Sequence, residues 1–491
     1  MTRLFAVLVL LVSGVFASAP QVSADSSLRV GFADDALEWQ PATAVRAGAA
    51  VGARIYRVTL GWRSGQTTIA PQEAAVLGRT LADLKGTRLV VAIYGAAGTA
   101  PTTETARSEY CSYAANVARR FPAVNDIVIW NEPNKSQFWQ PQYYADGSSA
   151  SPAAYEALLA RCWDALHAVR TTMNVIGPAT SSTGADNPSA PSPSHSPGAF
   201  ILKMGQAYAA SGRRLPIFDT VDHHPYGTGS SEPPWTRHTN STIGEGDWQR
   251  LMNAYFEAFA RTAQPIPGQD GVEIWYLEDG FQTTIDPAKV SFYTGAETDS
   301  HAIPDIAVPP GAGPDQASQI LAAVQLAYCQ PYVGAFLNFE LFDETLLAGW
   351  QSAPYWADAT PKRSLGVFRQ AFAEANARAV DCAALPFRQP TSFVPVPFNI
   401  EPPRIKGVAR PGIRLRATAG VWVGAVDYFF QWRRCAQTAR HRCSTILGAT
   451  ASTYQVSRAD VDGRLTVVVS ARNSGGTATA HARPVSVSGR R

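Results

Sequence analysis

Between residues 28 and about 380, short apolar runs alternate with longer amphipathic ones. The short runs are rich in Val, Ile and aromatic residues. They are "LRVGFA" (28–33), "RIYRVTL" (54–60), "RLVVAIYG" (88–95), "IVIWNE" (127–132), "NVIGPAT" (174–180), "FDTVDHHPY" (218–226), "EIWYLE" (273–278) and "GAFLNFEL" (334–341). Between them lie Ala-rich stretches with helical spacing, such as 71–85, 108–121, 151–170 and 315–330, and a last one over 361–377. Continuous apolar strands joined by helical crossovers specify a parallel sheet covered on both faces. Eight such units predict an α/β fold, a (β/α)8 TIM barrel over 25–386. A doubly wound open sheet is the rival. It usually carries an early Gly-rich phosphate turn, which this sequence lacks.

The pattern changes near residue 387. "FRQPTSFVPVPFNIEPP" is proline-spaced and reads as an extended linker over 387–401. Beyond it, "YFFQWRRC" (428–435), "STYQV" (452–456) and "RLTVVVSARN" (464–473) alternate with period two. They predict a small all-β sandwich over 402–491. Two long connections, 181–199 and 280–314, follow strands and so fall on the C-terminal face of the barrel, where such loops wall clefts. The Ser/Pro-rich 181–199 segment reads equally as a cleft wall or a loose surface insertion.

Composition narrows the partners. The 491 residues carry a net charge of only +3 and no basic block, so neither nucleic acid nor an anionic membrane is indicated. The first stretch has Arg3, an apolar run from Leu4 to Ala17 and small residues at Val22-Ser23-Ala24. It reads as a secretory signal over 1–24, which makes the protein secreted and extracellular. The run is short for a membrane span, so no membrane anchor is expected after cleavage. Six cysteines in an exported chain predict disulfides, though six allow fifteen pairings. The preferred set is Cys111–Cys162, Cys329–Cys382 and Cys435–Cys443, each stapling neighbouring elements. Their wide spacing and the lack of CxxC argue against metal binding.

In a parallel barrel the chemistry sits where the strands run out. The acids there are Asp34, Asp35, Glu132, Asp222, Glu278, Asp279, Glu340, Asp343 and Glu344. Glu273 opens its strand and so belongs to the opposite face. A carboxylate in a buried mouth is costly unless it is hydrogen-bonded or used. Glu132 and Glu278 stand out because each closes an apolar strand. Two carboxyl groups across one gap suit glycoside hydrolysis: one gives a proton to the leaving oxygen, and the other attacks the anomeric carbon. A gap of about 5–5.5 Å leads to retention and a wider one to inversion.

"WNEPN" (130–134) and "LEDGF" (277–281), on the fourth and seventh strands, resemble the clan A glycoside hydrolases, families 39 and 5 above all. The resemblance implies that Glu132 is the acid/base and Glu278 the nucleophile. It implies that Asn131 contacts the sugar 2-hydroxyl, that Tyr226 of "HPY" hydrogen-bonds the nucleophile, and that His224 lines the site. Arg57 in "RIYRVTLGW" matches the strand-two arginine that keeps the nucleophile ionised. Many members place a Trp under the sugar at the end of strand eight; here Phe339, Phe342 and Trp350 compete for that place. The resemblance implies no metal and no organic cofactor, and a polysaccharide or oligosaccharide as substrate. The alternatives are a non-catalytic polysaccharide-binding protein, or a transglycosylase using the same intermediate.

Plainer readings compete for several residues. His223 and His224 are strand neighbours that point to opposite faces, so they cannot easily share a metal ion. Asp279 suits a turn cap. Asp343 and Glu344 read either as rim contacts or as solvated loop. Trp62, Trp130, Phe138, Trp139, Trp235, Trp350 and Trp356 lie near strand ends, where aromatic faces suit sugar rings. Trp62, Trp139 and Trp350 are the expected substrate contacts among them, while Trp163 and Trp275 read as core.

The C-terminal part resembles the immunoglobulin-like repeat common in exported actinobacterial proteins. The likeness rests on Gln431-Trp432, Cys435 with Cys443, Tyr454, Ala459-Asp460-Val461 and Asn473. It implies a spacer, or contact with cell wall or polysaccharide, and no catalytic role.

Overall fold

The computed structural model describes residues 28–297, 301–309, 311–386, 392–436 and 443–489. The expected signal segment and the first part of the expected linker lie outside these residues. Eight parallel strands close into a barrel in sequence order. They are β1 (Arg29–Ala33), β2 (Ile55–Gly61), β3 (Arg88–Tyr94), β4 (Asp126–Ile129), β5 (Asn174–Ser181), β6 (Thr220–His224), β7 (Glu273–Asp279) and β8 (Val333–Phe339). β8 pairs with β1 over five residues, which seals the cylinder.

The helices form an outer layer. The crossover after β1 carries α1 (Ala36–Trp39) and α2 (Pro41–Val51). Then follow α3 (Pro71–Leu84), α4 (Glu104–Arg120), α5 (Ser151–His167), α6 (Pro197–Ser211), α7 (Trp248–Phe259), α8 (Gln316–Cys329) and α9 (Leu365–Asn376). Outward strand residues such as Phe32, Val58, Ile93 and Phe336 pack on buried helix residues including Leu77, Leu158, Met204 and Phe372. The barrel interior is filled by smaller side chains, among them Ala33, Val90, Ala92, Val128 and Ala335. At Gly31 a Cβ would lie 1.7 Å from the Ile55 carbonyl oxygen, so only glycine fits between β1 and β2 there.

The N-terminal end of the barrel is closed by charge and one indole. Trp275 donates to Glu273 at 2.8 Å, and Arg29 and Arg88 lie 5.3 and 4.6 Å from its ring centroid. Arg88 also forks onto Asp126. Glu273 is thus on the face opposite the cleft.

Disulfides join Cys111 to Cys162, Cys329 to Cys382 and Cys435 to Cys443. The first ties α4 to α5.

After the barrel, all strands are antiparallel. β9 (Phe398–Glu401) pairs with β12 (Val421–Val423), so the end of the expected linker is itself a strand. β10 (Ile405–Lys406), β11 (Arg414–Ala417) and β15 (Thr453–Gln455) make a second sheet. The largest contains β13 (Asp427–Cys435), β14 (Cys443–Thr445), β16 (Arg464–Asn473), β17 (Gly476–His481) and β18 (Val485–Ser486). Trp432, Leu415, Leu465 and Val467 fill the core of this all-β sandwich. It meets the barrel at α7, where Asn253 donates to the Gly475 carbonyl at 3.0 Å and Gln249 to that of Val394 at 2.9 Å. Among the described residues no helix is long and apolar enough to cross a membrane.

Candidate active site

Strand alternation alone would not aim Glu132 and Glu278 at one another. In β4, Val128 points into the barrel while Ile127 and Ile129 point out. The strand ends at Ile129, three residues before Glu132, because Trp130 and Glu132 take left-handed φ angles of 66° and 34°. Such backbone costs about 1–3 kcal/mol at each non-glycine residue and persists only where the surroundings over-determine it. Here an aromatic stack does so. Trp130 swings outward against Trp62, Tyr110 and Trp139, and its indole N–H donates to the Phe138 carbonyl at 2.7 Å. Asn131 and Glu132 are thereby turned into the cleft.

β7 uses a different device. Trp275 and Leu277 point inward, so simple alternation would send Glu278 out toward the helices. Tyr276 lies opposite Phe336 and Asp279 opposite Asn338, which leaves one extra residue on β7. This bulge re-aims Glu278 into the cleft.

The two carboxyl groups meet in a cleft of about 820 Å³ at the C-terminal end of the barrel. Glu132, His224 and Glu278 each offer an atom within 4.8 Å of the other two. His224 Nδ1 lies 3.0 Å from Glu132 Oε1 and 3.3 Å from Glu278 Oε2. Its Nε2 lies 3.5 Å from Asp222 Oδ2, an ion-pair distance without hydrogen-bond geometry. Burial favours neutral imidazole, but the negative charges of Glu278 and Asp222 outweigh it and push the His224 pKa up to about 10. The ring is therefore a cation whose Nδ1–H sits between the two carboxyl groups. His223 turns the other way. It is bonded to Thr180 at 2.8 Å and to the Ile243 carbonyl at 2.8 Å, and burial lowers its pKa to about 4.

Arg57 comes from β2 and binds two groups at once. Nη1 donates to Glu278 Oε1, and Nη2 donates to Asn131 Oδ1 at 2.9 Å. The Asn131 carbonyl is thus committed, which leaves its amide N–H groups as the side chain's contribution to the cleft. Burial alone would raise the Glu278 pKa. The charges of His224 and Arg57 overcome this and hold it below the ordinary glutamate value. The buried Tyr226 hydroxyl also favours the charged form of Glu278, short of full hydrogen-bond geometry.

Trp350 lines the cleft, 4.9 Å from the Tyr226 ring and 5.6 Å from Phe339. Phe342 packs away against Tyr355. The aromatic side chains that line the cleft on the strand-eight side are therefore Trp350 and Phe339. The Trp350 loop rests on a buried ion pair: Lys362 Nζ lies 2.8 Å from Asp343 Oδ1 and also donates to Thr283 and to the Gln351 carbonyl. Asp343 is accordingly neither a rim contact nor solvated loop.

Three expected substrate contacts are corrected; the first is His224, which is fully buried against Glu132 and does not itself line the cleft. Trp62 is 2% exposed and Trp139 fully buried; both belong to the stack behind Trp130, and neither lines the cleft. Their positions near strand ends are right, but they point into the layer between barrel and helices. Trp356 is also buried, against Lys362. Asp279 accepts from the Gly280 N–H at 2.8 Å, as a turn cap does. The start of the 181–199 segment is a cleft wall: Ser181, Ser182 and Thr183 line it, and Lys135 donates to Thr183 at 3.0 Å. The segment is pinned through His195, whose carbonyl accepts from Asn134 and whose buried ring is bonded to Gln142 and Ser149. Sequence reasoning missed Tyr94, Lys135 and Gln137 as lining residues. Tyr94 ends β3, so its position was the available signal.

No family model and no curated protein matches this chain. Solved structures with a similar chain course include a family 39 glycoside hydrolase from the gut symbiont Bacteroides cellulosilyticus WH2, at 14% identity and a TM-score of 0.48, covering 88% of this chain and 80% of that one. A GH5_18 protein from Streptomyces cattleya in complex with GlcNAc is similar at 14% identity and a TM-score of 0.47, covering 74% and 83%. A monomeric beta-xylosidase from Caulobacter crescentus CB15 is similar at 16% identity and a TM-score of 0.43, covering 84% and 83%. At these identities the likeness is one of fold and assigns no chemistry.

Proposed function

We propose that this chain is a retaining O-glycoside hydrolase that cleaves β-glycosidic bonds of a polysaccharide or oligosaccharide. The observation that carries the proposal is the convergence of Glu132 and Glu278 oxygens within 4.8 Å, at the mouth of a closed barrel. That approach is close to the carboxyl separation of about 5–5.5 Å that retention uses.

Glu278 is the nucleophile. Its carboxylate attacks the anomeric carbon, the bond to the leaving oxygen breaks, and Glu132 gives that oxygen its proton. Since Glu132 Oε1 faces the His224 N–H, the transferable proton belongs on Oε2. The product of this step is a glycosyl ester on Glu278, and Glu132 is left as a carboxylate. Glu132 then takes a proton from water, water attacks the anomeric carbon, and Glu278 leaves as carboxylate. Arg57 and His224 keep Glu278 ionised in the resting enzyme. Asn131 is placed to donate to the sugar hydroxyl next to the scissile bond, and Trp350 to carry the ring's apolar face.

The sandwich is proposed to be an immunoglobulin-like accessory module, beginning near residue 402, that contacts cell wall or polysaccharide outside the cell. The chemistry is tested by hydrolysis of a panel of aryl β-glycosides and polysaccharides by the wild-type protein and Glu278→Gln, with the product anomer followed by NMR. Hydrolysis with a β product that disappears in the variant is expected. Undiminished hydrolysis by the variant removes Glu278 as nucleophile. Binding of glycans without turnover in the wild type supports a non-catalytic receptor instead.

A further inference from the structure

One wall of the cleft is acidic beyond what double displacement uses. β1 and β8 are paired with Ala33 opposite Phe339, so Asp34, Asp35 and Glu340 follow directly from partnered positions. All three line the cleft, together with Glu344 from the next loop. The roles of two are structural. Asp34 accepts from the Ala36, Leu341 and Phe342 N–H groups and so fastens the loop after β8 to β1. Glu344 accepts from the Trp350 N–H at 3.0 Å and fixes the backbone there.

The other two are differently placed. Asp35 commits Oδ1 to the Thr59 N–H at 2.7 Å. Glu340 is 8% exposed, and among the described residues no donor reaches its carboxyl group. A largely buried carboxyl that opens on a cleft without a protein donor takes its hydrogen bonds from water or from a ligand. Of the cleft cations, Arg57 bonds Glu278 and Asn131, and Lys135 bonds Thr183. Burial and the charges of Asp34, Glu344, Asp343 and Asp35 all act against a negative charge on Glu340, so a cation brought by a ligand would favour its ionised form. A metal ion is a poor fit. The compact metal-sized group among the described residues is Glu132, His224 and Glu278, and the wall carboxyls do not form another.

We propose that Glu340 and Asp35 form a subsite for the ammonium group of an unacetylated amino sugar, so that the substrate is a glycan containing hexosamine with free amines. An ammonium group offers three donors, and bonds from it to carboxylate are about twice as strong as neutral ones. This inference rests on the glycosidase reading of the cleft but is tested apart from it.

The test is calorimetric binding to Glu278→Gln, which is isosteric and not expected to turn over substrate. The probes are β-linked glucosamine and galactosamine oligomers, their N-acetylated forms, and neutral β-glucan oligomers, at a pH where the sugar amine is protonated. At least one free-amine oligomer is expected to bind tenfold or more tightly than its acetylated and neutral counterparts. That ratio is expected to shrink in the additional variants Glu340→Gln and Asp35→Asn, and to fall with added salt in Glu278→Gln alone. Equal binding of the three classes overturns the proposal, as does a preference that survives both wall substitutions and salt. Stabilisation by calcium chloride with no preference among the sugars also overturns it. Amine-selective binding in a wild type that hydrolyses none of these glycans upholds the subsite and refutes the hydrolase. Hydrolysis with no amine preference does the reverse.

Discussion

Arg57 Nη1 bonds Glu278 while its Nη2 bonds Asn131 at 2.9 Å, so one guanidinium links the proposed nucleophile on β7 to the residue beside the proposed acid after β4. The consequence is electrostatic. With burial opposing ionisation, Glu278 stays charged because His224 and Arg57 are close. In Arg57→Met the Glu278 pKa rises, so the acidic limb of kcat/KM is expected to move to higher pH. At neutral pH, kcat is expected to fall more than tenfold, as for loss of a preorganised charge contact. A pH–rate profile checks both. An unmoved acidic limb contradicts the role given to Arg57.

His224 sets the alkaline side of stability. Its pKa rises from 6.5 in the unfolded chain to about 10 in the fold. A group shifted upward contributes stability that is complete below pH 6.5 and is lost as pH climbs toward 10. Thermal unfolding from pH 6 to 10 is expected to show a falling melting temperature, with the fall reduced in His224→Gln. Parallel curves for the two proteins would show that the imidazole is neutral in the fold.

Core and cleft tryptophans separate by which property they change. Trp62→Ala empties a buried site and is expected to cost about 3–5 kcal/mol in denaturant unfolding. Trp350→Ala, at the half-buried cleft wall, is expected to change stability much less and to raise KM about tenfold or more. The reverse pattern would return Trp62 to the substrate site.

The Lys362–Asp343 pair is fully buried. Burial lowers the Lys362 pKa and raises that of Asp343, against their mutual attraction. Lys362→Met leaves a buried carboxylate alone and is expected to cost about 3–5 kcal/mol. Adding Asp343→Leu is expected to recover much of that loss. Equilibrium unfolding of the two variants measures it, and because the pair carries the Trp350 loop, KM is expected to rise in the single variant.

Much of the barrel was legible because its strands are apolar runs of the right length between helical repeats. The first visible departure is at "IVIWNE", read as one strand to Glu132, which ends at Ile129. Left-handed backbone at Trp130 and Glu132 depends on the stack of Trp62, Tyr110 and Trp139, contributed by distant segments. No local pattern encodes that. For the same reason Trp62 and Trp139 looked like cleft residues: position along a strand predicts height in a barrel, but not whether a side chain beyond the strand turns in or out. The bulge that aims Glu278 is a property of the β7–β8 register, which one strand cannot reveal. The Lys362–Asp343 pair joins a helix approach to a loop and left no sequence signal. The converging acids were found because strand ends order the chemistry of a parallel barrel, whatever brings each side chain round.

The most direct test is to trap the covalent intermediate. The protein is incubated with 2-deoxy-2-fluoro aryl glycosides of whichever sugar the panel shows to be hydrolysed, then digested and mapped by mass spectrometry. The account predicts one glycosyl group per chain, on the peptide containing Glu278, with activity lost in step with labelling. A label on another carboxylate, or an unlabelled enzyme that releases product of inverted anomeric configuration, would contradict it.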